Sequence, residues 1–324
     1  MQKKDVLSVQ YFEDAIRFAD LINGFLFRGK NVVKEPQVRE CNRIILKKQK
    51  REGRLKTAMR IRDVIREVQI GNKVVMVSLE NQADIHYAMP VRVMDGDGAV
   101  YTEQLRKRGK EHKEKRDLTG AEYLSGFGKE ETLIPVVTVV VYFGKDPWDG
   151  PGNLKEMLDL SDVPEELEAA INDYSIHLLD VRRYEHLEHF QTDLRYVFGF
   201  LQNEQDGKKL KDFIKENRRA LEHLAEDAYD FISVISQSEE LVMMKSQNQN
   251  EEGDYDMCKG LREWMADERR QGEEKGKEIG KEIGIRLAKQ VIRMDLTGVS
   301  REEIAKKCEI TIEDVDQILD DEVA

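Results

Sequence analysis

Cysteine is scarce in this sequence, with three residues among 324, at Cys41, Cys258 and Cys308. They lie far apart and none stands in a CxxC motif, so neither a disulfide framework nor a zinc site is indicated. Long hydrophobic runs are lacking as well. The longest, LIPVVTVVVYF at 133–143, is too short to span a bilayer and has the right length for a buried strand. No signal peptide is recognisable, and a reducing cytoplasm is the expected location.

Positive charge is in the minority, because 52 lysines and arginines face 64 acidic residues and the net charge is −12. That balance argues against indiscriminate nucleic-acid binding. Two stretches depart from it: Arg28 to Arg62 hold thirteen Lys or Arg against three acids, and Arg106 to Arg116 hold seven against two. Either both stretches are solvated surface, or they form a track for a phosphate backbone. Their position on either side of one acidic hairpin favours the second interpretation.

That hairpin is predicted for Arg62 to Gln82, which read RDVIREVQIGNKVVMVSLENQ. Two runs rich in β-branched residues flank Gly71-Asn72, a dipeptide that suits a two-residue type II′ turn because its first position requires a positive φ. With this turn, residues whose numbers sum to 143 face each other. Asp63 is therefore expected opposite Glu80.

Side chains alternate along a strand, so the predicted hairpin has two faces. One is expected to be core and consists of six apolar residues and one arginine: Val64, Arg66, Val68, Ile70, Val75, Val77 and Leu79. The other face carries the two acids, roughly 4.5–5.5 Å apart at Cβ, where like charges repel unless a positive charge lies between them. A divalent cation such as Mg²⁺ would neutralise the pair. The alternative is that both acids lie on a solvated face of the sheet.

The elements around the hairpin predict an α/β arrangement. Helical spacing of apolar residues predicts one helix over 11–27, with the apolar positions Phe12, Ile16, Ala19, Ile22 and Leu26. A second helix is expected from about Pro90 to about Lys115, although the glycines of DGDGAVY at 95–101 predict a break or a flexible point within it. This crossover helix would carry the chain to the strand at 133–143, beside the hairpin.

Four separated blocks of the chain carry a family resemblance: FADLINGFLFRGKNVV, RDVIREVQIG, SLENQADIHYAMPVR and LIPVVTVVVYFGKDPWDGP. In this order they resemble the Rpn family of recombination-promoting nucleases and transposases, within the PD-(D/E)XK nuclease superfamily. The resemblance covers roughly residues 8–200. It implies Mg²⁺-dependent or Mn²⁺-dependent hydrolysis of DNA phosphodiesters and a role in promoting recombination.

The resemblance also implies site residues. Asp63 stands for the acid of the PD motif, and Glu80 and Gln82 stand for the two ends of the ExK motif. Asp20 is the best match for the acid on the first helix. In this chemistry Asp63, Glu80 and the backbone carbonyl of Asn81 would hold the metal, which polarises the scissile phosphate and lowers the pKa of an attacking water.

Gln82 departs from the superfamily pattern, because the position usually holds a lysine and glutamine cannot supply a cation. Either Gln82 only positions the water, or a basic residue such as Lys73 or Arg92 supplies the charge. The remaining alternative is a degenerate nuclease fold in which Gln82 marks lost catalysis.

The segment from Leu154 to Ser236 is predicted to be largely helical, with one apolar stripe: Phe190, Leu194, Val197, Phe198 and Leu201. Within it, His186, Glu188 and His189 of YEHLEHF suggest a metal site, but a surface helix is the favoured interpretation. Trp148 is interpreted as a loop anchor, with a substrate contact as the alternative.

The C-terminal part changes character after a polar, acidic stretch. Glycine recurs at 272, 276, 280 and 284 with Glu and Lys between, which excludes a membrane-spanning helix pair. A charged helix with a glycine face that mediates self-association is favoured over a linker. Two short helices follow with capping boxes at Ser300/Glu303 and Thr311/Asp314, and they resemble a helix-turn-helix. The second is acidic, so protein contact is favoured over DNA contact.

The sequence therefore predicts an α/β fold with a restriction-endonuclease-like core of helix, acid-bearing hairpin, crossover helix and buried strand. Three segments are expected: a nuclease-like domain with helical additions at 1–245, an acidic linker at 246–258 and a helical tail at 259–324. The predicted function is a Mg²⁺-dependent DNA endonuclease that acts in recombination or transposition, with DNA and a second copy of the chain as partners. The alternative is a catalytically degenerate DNA-binding or transposition-accessory protein.

Overall fold

The computed structural model describes residues 3–320 apart from 42, 43, 52, 53 and 62, and the side chains of 3–5, 44–61, 240, 260–269, 271–273 and 320 lie outside that description. The chain divides into two units, residues 1–260 and 261–324. The predicted division into three segments stays a prediction.

Strands in the described part of the chain are β1 (Val38–Glu40), β2 (Ile44–Arg51), β3 (Arg54–Ile61), β4 (Val64–Ile70), β5 (Lys73–Gln82), β6 (Val136–Tyr142) and β7 (His177–Asp180). Five of them form one sheet in the order β1-β4-β5-β6-β7, whereas β2 and β3 form a separate antiparallel pair. The five-stranded sheet is mixed, because β1, β4 and β5 pair antiparallel while β5, β6 and β7 pair parallel.

Helices in the described part are α1 (Lys3–Glu13), α2 (Ala15–Phe25), α3 (Met89–Lys115), α4 (Gly120–Ser125), α5 (Glu165–Ala170), α6 (Leu194–Asn203), α7 (Gly207–Glu216), α8 (Arg218–Leu221), α9 (Glu226–Ile235), α10 (Glu239–Met243), α11 (Met257–Leu296), α12 (Arg301–Cys308) and α13 (Ile312–Asp320). None of these helices combines the length and the apolar character that crossing a lipid bilayer requires. Together with the sheet they confirm the predicted α/β class.

The β4–β5 hairpin has the predicted register. Val64 pairs with Leu79 and Ile70 pairs with Lys73, so paired numbers sum to 143. Gly71 has a φ of +58°, the left-handed conformation that the tight turn requires and that glycine adopts without strain. The turn residues thus fix which acid faces which along the two strands.

Both faces of the hairpin are buried. On the expected core face, Val64, Val68 and Leu79 are fully buried. The second face is covered as well, because Ile65 and Met76 form a cluster with Ala99 and Val100 of α3. A sheet with helices on both faces buries both sides of its strands.

The helix α3 runs without interruption from Met89 to Lys115. The expectation of a break at Gly96 and Gly98 is therefore wrong. A glycine costs only about 1 kcal/mol in a helix relative to alanine, and packing of Val93, Ala99 and Val100 against the sheet outweighs that cost. The continuous helix carries the chain across to β6, which lies parallel to β5 as predicted.

The N-terminal helix is divided in two, contrary to the expectation of one helix over 11–27. Asp14 separates α1 from α2, and its side chain accepts a hydrogen bond of 2.8 Å from the backbone N–H of Arg17. An aspartate in this N-cap position starts a new helix. The break also explains why Ile16, expected in the apolar stripe, is exposed.

A helical layer follows the sheet in the chain, and its predicted apolar stripe is fully buried: Phe190, Leu194, Val197, Phe198 and Leu201. Four of the described strands were not predicted. β1 and β7 have only three or four residues, too few for an alternating pattern to stand out in the sequence, and β7 lies in the segment that was predicted to be largely helical. β2 and β3 lie in the basic stretch 28–62, which was interpreted from its charge alone.

The second unit contains most of α11 together with α12 and α13. The predicted capping box at Thr311/Asp314 is present, because Asp314 Oδ2 accepts from the Thr311 N–H at 3.0 Å and Thr311 Oγ1 accepts from the Asp314 N–H at 3.1 Å. At Ser300/Glu303 the structure shows the serine half, in which Ser300 Oγ accepts from the Glu303 N–H at 3.4 Å. A small core holds this unit together, formed by Val291, Ile304, Ala305 and Val315. The glycine repeat lies within α11, so the predicted helix is confirmed, whereas self-association through it stays a prediction.

Candidate active site

The two strands of the hairpin bring Asp63 and Asn81 together. Asp63 directly precedes β4, and its Oδ2 accepts a hydrogen bond of 2.9 Å from the backbone N–H of Asn81 on β5. The N–H and C=O of one strand residue point to the same side, so the carbonyl of Asn81 also faces the Asp63 side. Two of the oxygens predicted to hold a metal therefore lie at the same end of the hairpin.

Glu80 is a buried carboxylate on the face covered by α3. Its side chain is only 5 % exposed, and Oε2 accepts a hydrogen bond of 3.2 Å from Nη2 of Arg92, which is 44 % exposed. The neighbouring strand contributes Val140, which pairs with Glu80 and packs against Met89 and Val93. A solvated position is excluded for Glu80, because an ionised carboxylate in such surroundings requires a charged or hydrogen-bonding partner.

Of the two basic residues considered in place of the missing lysine, Arg92 contacts the site. It lies in the first turns of α3 and its guanidinium bonds directly to Glu80. Lys73 lies at the opposite end of β5, seven residues before Glu80 and roughly 23 Å away at about 3.3 Å per strand residue. The tertiary structure thus separates two candidates that the sequence left equal.

Gln82 is the last residue of β5 and lies two residues beyond Glu80. It pairs with Tyr142, and its backbone carbonyl accepts from the N–H of Phe143 at 2.9 Å. The site therefore opens where the parallel strands β5 and β6 end, and the carboxyl ends of parallel strands are the usual place for ligands in α/β sheets.

Trp148 lies in the loop that leaves this edge after β6. Its Nε1 donates to the carbonyl of Gly150 at 2.9 Å, and its ring meets that of Tyr142 edge-on with centroids 5.2 Å apart. These contacts confirm Trp148 as a loop anchor. A substrate contact remains an untested alternative.

Unsatisfied polar atoms concentrate near the same end of β5. Among the described residues five buried side-chain atoms make no hydrogen bond, and three of them belong to Asn81 and His86. A buried polar group without a partner costs free energy, so native proteins retain few of them, and functional sites are one place where they occur. Sequence reasoning missed His86, which carries no motif of its own.

Asp20, the predicted acid of the first helix, has a different set of partners. Its carboxylate accepts the N–H groups of Gln191 and Thr192 at 2.7–2.9 Å and the hydroxyl of Thr192 at 2.6 Å. None of its described hydrogen bonds joins it to Asp63 or Glu80. Asp20 lines a separate cavity of about 250 Å³, and its predicted catalytic role stays a prediction.

The comparison with protein families decides the affiliation of the chain. The family model described as "Putative transposase, YhgA-like" matches residues 60–230, which is more than half of the sequence. The chain belongs to the YhgA-like transposase family. The resemblance to recombination-promoting nucleases and transposases is thereby confirmed. The searches of curated proteins and of solved structures gave no significant match.

The YhgA-like match includes the hairpin acids and Arg92, whereas Asp20 lies outside it. Family membership associates the chain with transposition. The residues at the end of β5 therefore belong to the part of the chain that defines the family.

A further buried acid in the YhgA-like region lies on α3. Asp97 is 2 % exposed, and its two carboxylate oxygens accept hydrogen bonds from the hydroxyls of Thr138 and Tyr174, both at 2.5 Å. Thr138 lies on β6 and pairs with Ser78 of β5. The hydrogen bond from Thr138 to Asp97 thus links β6 to α3 about one and a half turns after Arg92. This link helps to fix the position of the Arg92 guanidinium.

The predicted basic stretches are partly described. Arg43 lies outside the described residues, and Lys47 and Lys48 lie on β2, of whose side chains nothing is stated. The second stretch forms the C-terminal part of α3, where Arg106 donates two hydrogen bonds of 2.7 Å to Glu103. Part of its charge is therefore balanced within the helix.

His112 anchors the basic end of α3. Its Nδ1 lies 2.7 Å from Asp117 Oδ1 and its Nε2 lies 2.9 Å from Glu131 Oε2. Two carboxylates facing both ring nitrogens favour the imidazolium, which has two donors. The hydrogen bond to Asp117, followed by that to Glu131, raises the pKa of His112 above its ordinary value.

Proposed function

We propose that this YhgA-like chain is a metal-dependent DNA endonuclease that hydrolyses phosphodiester bonds in recombination or transposition. The observation that carries the proposal is the arrangement of Asp63 and Glu80 at one end of the hairpin, where β5 and β6 end. Asp63, Glu80 and the carbonyl of Asn81 offer three oxygen ligands, the donor type that Mg²⁺ and Mn²⁺ prefer. A metal held there would activate water and polarise the phosphate.

The order of elements supports a restriction-endonuclease-like core for this site. A helix (α2), an acid-bearing hairpin (β4–β5), a crossover helix (α3) and a buried parallel strand (β6) follow each other along the chain. In this proposal α3 has two functions. It covers the sheet, and it delivers Arg92 to Glu80 from its first turns.

We assign to Arg92 the positive charge that a lysine provides elsewhere in the superfamily. The 3.2 Å contact with Glu80 holds the guanidinium beside the proposed metal, where it can stabilise charge that develops on the phosphate. Gln82 then has the remaining task of positioning the water. Both assignments rest on the endonuclease proposal.

The same ion pair favours one competing function. The opposed acids require a positive charge, and Arg92 already supplies one to Glu80 without a metal ion. If this pairing is permanent, the site is a structural remnant, and the protein is a DNA-binding or transposition-accessory protein. The two functions differ in whether divalent metal produces cleavage.

DNA and a second copy of the chain are the proposed partners. The basic stretches at 28–62 and 106–116 flank the hairpin in sequence and would contact phosphates. In α11, Ile279 and Ile283 are more than half exposed beside Gly280 and Gly284, which supports self-association through this helix.

A plasmid-nicking assay tests the proposal. Purified full-length protein is incubated with supercoiled plasmid in Mg²⁺, Mn²⁺ or EDTA, and DNA binding is measured on the same samples. Metal-dependent nicking that is lost in Asp63→Asn supports the endonuclease. Binding without nicking in either metal would establish the accessory function instead.

A further inference from the structure

Three metal-ligating side chains meet on the short turn that follows β7. His186, Glu188 and His189 each offer one ligand atom, and these atoms lie within 4.8 Å of one another. The backbone forms a 3₁₀ turn over Leu187–His189 rather than the surface helix predicted from the sequence. The turn brings ligand atoms of both imidazoles and of the carboxylate together, whereas the predicted helix would have placed only His186 and His189, three residues apart, on one face.

Hydrogen bonding fixes the tautomer of His189. The hydroxyl of Tyr184 donates to the backbone carbonyl of Gly24 at 2.9 Å, which uses its only proton. Tyr184 must therefore accept the second hydrogen bond, which joins its oxygen to Nδ1 of His189 at 3.0 Å. Nδ1 consequently carries the ring proton and Nε2 presents its lone pair. Metal-ligating histidines in proteins are oriented by a partner of this kind.

The backbone of the preceding loop holds His189 in place. Gly29 has a φ of +80°, and a Cβ added there would lie 2.8 Å from the His189 ring. Only glycine leaves room for the imidazole at this position. His189 is therefore the fixed member of the cluster.

The other two ligands are exposed side chains. The side chains of His186 and Glu188 are 58 % and 60 % exposed. The two side chains contact each other at 3.0 Å, and the ring of His186 stacks on that of His189 with centroids 4.8 Å apart and meets that of Tyr184 edge-on at 6.2 Å. Tetrahedral coordination with bonds of about 2.0–2.2 Å requires ligand atoms roughly 3.3 Å apart, so the side chains must move closer together from separations of up to 4.8 Å to bind an ion.

We propose that His186, Glu188 and His189 form a binding site for a divalent transition metal of the Zn²⁺ class, with solvent as the fourth ligand. Two imidazoles and one carboxylate suit Zn²⁺, Co²⁺ or Ni²⁺, whereas Mg²⁺ prefers the oxygen ligands of the hairpin. The two sites thus differ in ligand chemistry, and this proposal does not depend on the endonuclease function.

The ion would act as a clamp between the turn and α2. Gln191 and Thr192, two and three residues after His189, donate their N–H groups to Asp20 of α2, and the hydroxyl of Tyr184 donates to the carbonyl of Gly24 near the end of α2. Fixing the three side chains would therefore stabilise the docking of residues 184–192. Binding to the folded state alone raises the melting temperature.

Titration of untagged full-length protein with ZnCl₂ and CoCl₂ tests the site, with calorimetry for affinity and the visible absorption of Co²⁺ for nitrogen ligation. An Asp63→Asn/Glu80→Gln background removes the hairpin acids as competing ligands. We expect one ion to bind in this background and to raise the melting temperature. His186→Ala and Glu188→Gln alter exposed side chains, so they should fold normally and lose at least tenfold in affinity.

Two histidines outside the turn provide matched controls. His177 is exposed on β7, and His223 belongs to another described cluster with Glu252 and Asp254. His177→Ala and His223→Ala should bind the ion as tightly as the parent protein. Undiminished affinity in both His186→Ala and Glu188→Gln, or loss of binding in His223→Ala, would overturn the proposal.

Discussion

The backbone N–H of Asn81 donates to the carboxylate of Asp63 across 2.9 Å, which links the residue before β4 to the penultimate residue of β5. This hydrogen bond closes the open end of the hairpin and orients one carboxylate oxygen along the sheet. Glu80 precedes Asn81 and points towards α3, where it meets Arg92. Two adjacent residues of β5 therefore define this end of the hairpin. The backbone of Asn81 orients Asp63, and Glu80 is itself the second acid, whose side chain meets Arg92.

Asp63→Asn and Glu80→Gln are expected to lower Mg²⁺-dependent nicking by about 100-fold or more, because each removes the negative charge of a metal ligand and keeps its shape. Glu80→Ala is a poorer probe than Glu80→Gln, since Glu80 is buried and its truncation leaves a cavity beside Arg92. Glu67→Gln on β4 is the control. Wild-type nicking rates in either site variant would refute the assignment.

Arg92→Ala is expected to reduce nicking by about 100-fold with DNA binding largely retained, because it removes a charge aimed at the reacting phosphate. Lys73→Ala, at the other end of β5, should leave the rate unchanged. Cleavage rates measured for both variants at saturating metal decide between the two cations. Equal rates for Arg92→Ala and wild type would leave Gln82 as the only candidate for the lysine function.

Charge reversal in the basic part of α3 is expected to weaken DNA binding and to flatten its salt dependence. Each lost phosphate contact reduces the slope of log K against log salt by about 0.9. Lys107→Glu should have a larger effect than Arg106→Glu, since Arg106 is already paired with Glu103. Lys208→Glu on α7 is a matched control for the charge change. A slope unaffected in both α3 variants would identify the stretch as solvated surface.

His112 is expected to make stability depend on pH. The pKa of His112 in the folded protein is raised above the ordinary value of about 6.5. Its contribution to the free energy of unfolding is therefore complete below about pH 6.5 and is lost as the pH rises through the folded pKa. The pKa shifts of its partners Asp117 and Glu131 have the opposite sign. The hydrogen bond from His112 lowers the pKa of Asp117, and the Gly128 N–H, followed by His112, lowers that of Glu131, so their contributions are lost at acid pH.

The contribution of His112 is therefore greatest between the carboxyl values near 4 and about pH 6.5. His112→Gln should destabilise the protein more at pH 6 than at pH 9, as measured by denaturant unfolding at the two values. A difference that does not change with pH would show that the imidazole is neutral in the folded protein.

The glycines of α11 are expected to serve a contact between chains. An added Cβ meets nothing within 4 Å at Gly276, Gly280 and Gly284, so alanine at all three should stabilise the isolated helix, by about 1 kcal/mol each at most. If a second backbone approaches there, the same change should lower the oligomeric mass. Light scattering on the full-length protein, the triple variant and a chain truncated after Glu268 measures this. The same number of copies per particle in all three proteins would show that the glycine repeat is only a spacer.

Local pattern determined much of the hairpin and of α3. Gly71-Asn72 fixed the register, because a two-residue turn allows one pairing of the flanking strands, and continuing that pairing one step beyond Val64 and Leu79 puts Asp63 across from Glu80. The helical period similarly predicted the buried stripe from Phe190 to Leu201. These features depend on residues close together in the chain, which is why the sequence alone reveals them.

Other features depend on contacts between distant segments. Arg92 prevailed over Lys73 because α3 packs across the sheet at the end of β5, and neither residue carries a local sign of that packing. The partners of Asp20 are 171 and 172 residues away, so its position in the helix could not indicate them. The turn at 187–189 formed a ligand cluster for the same reason: Tyr184 and the Gly24 carbonyl orient His189, and only folding brings them together.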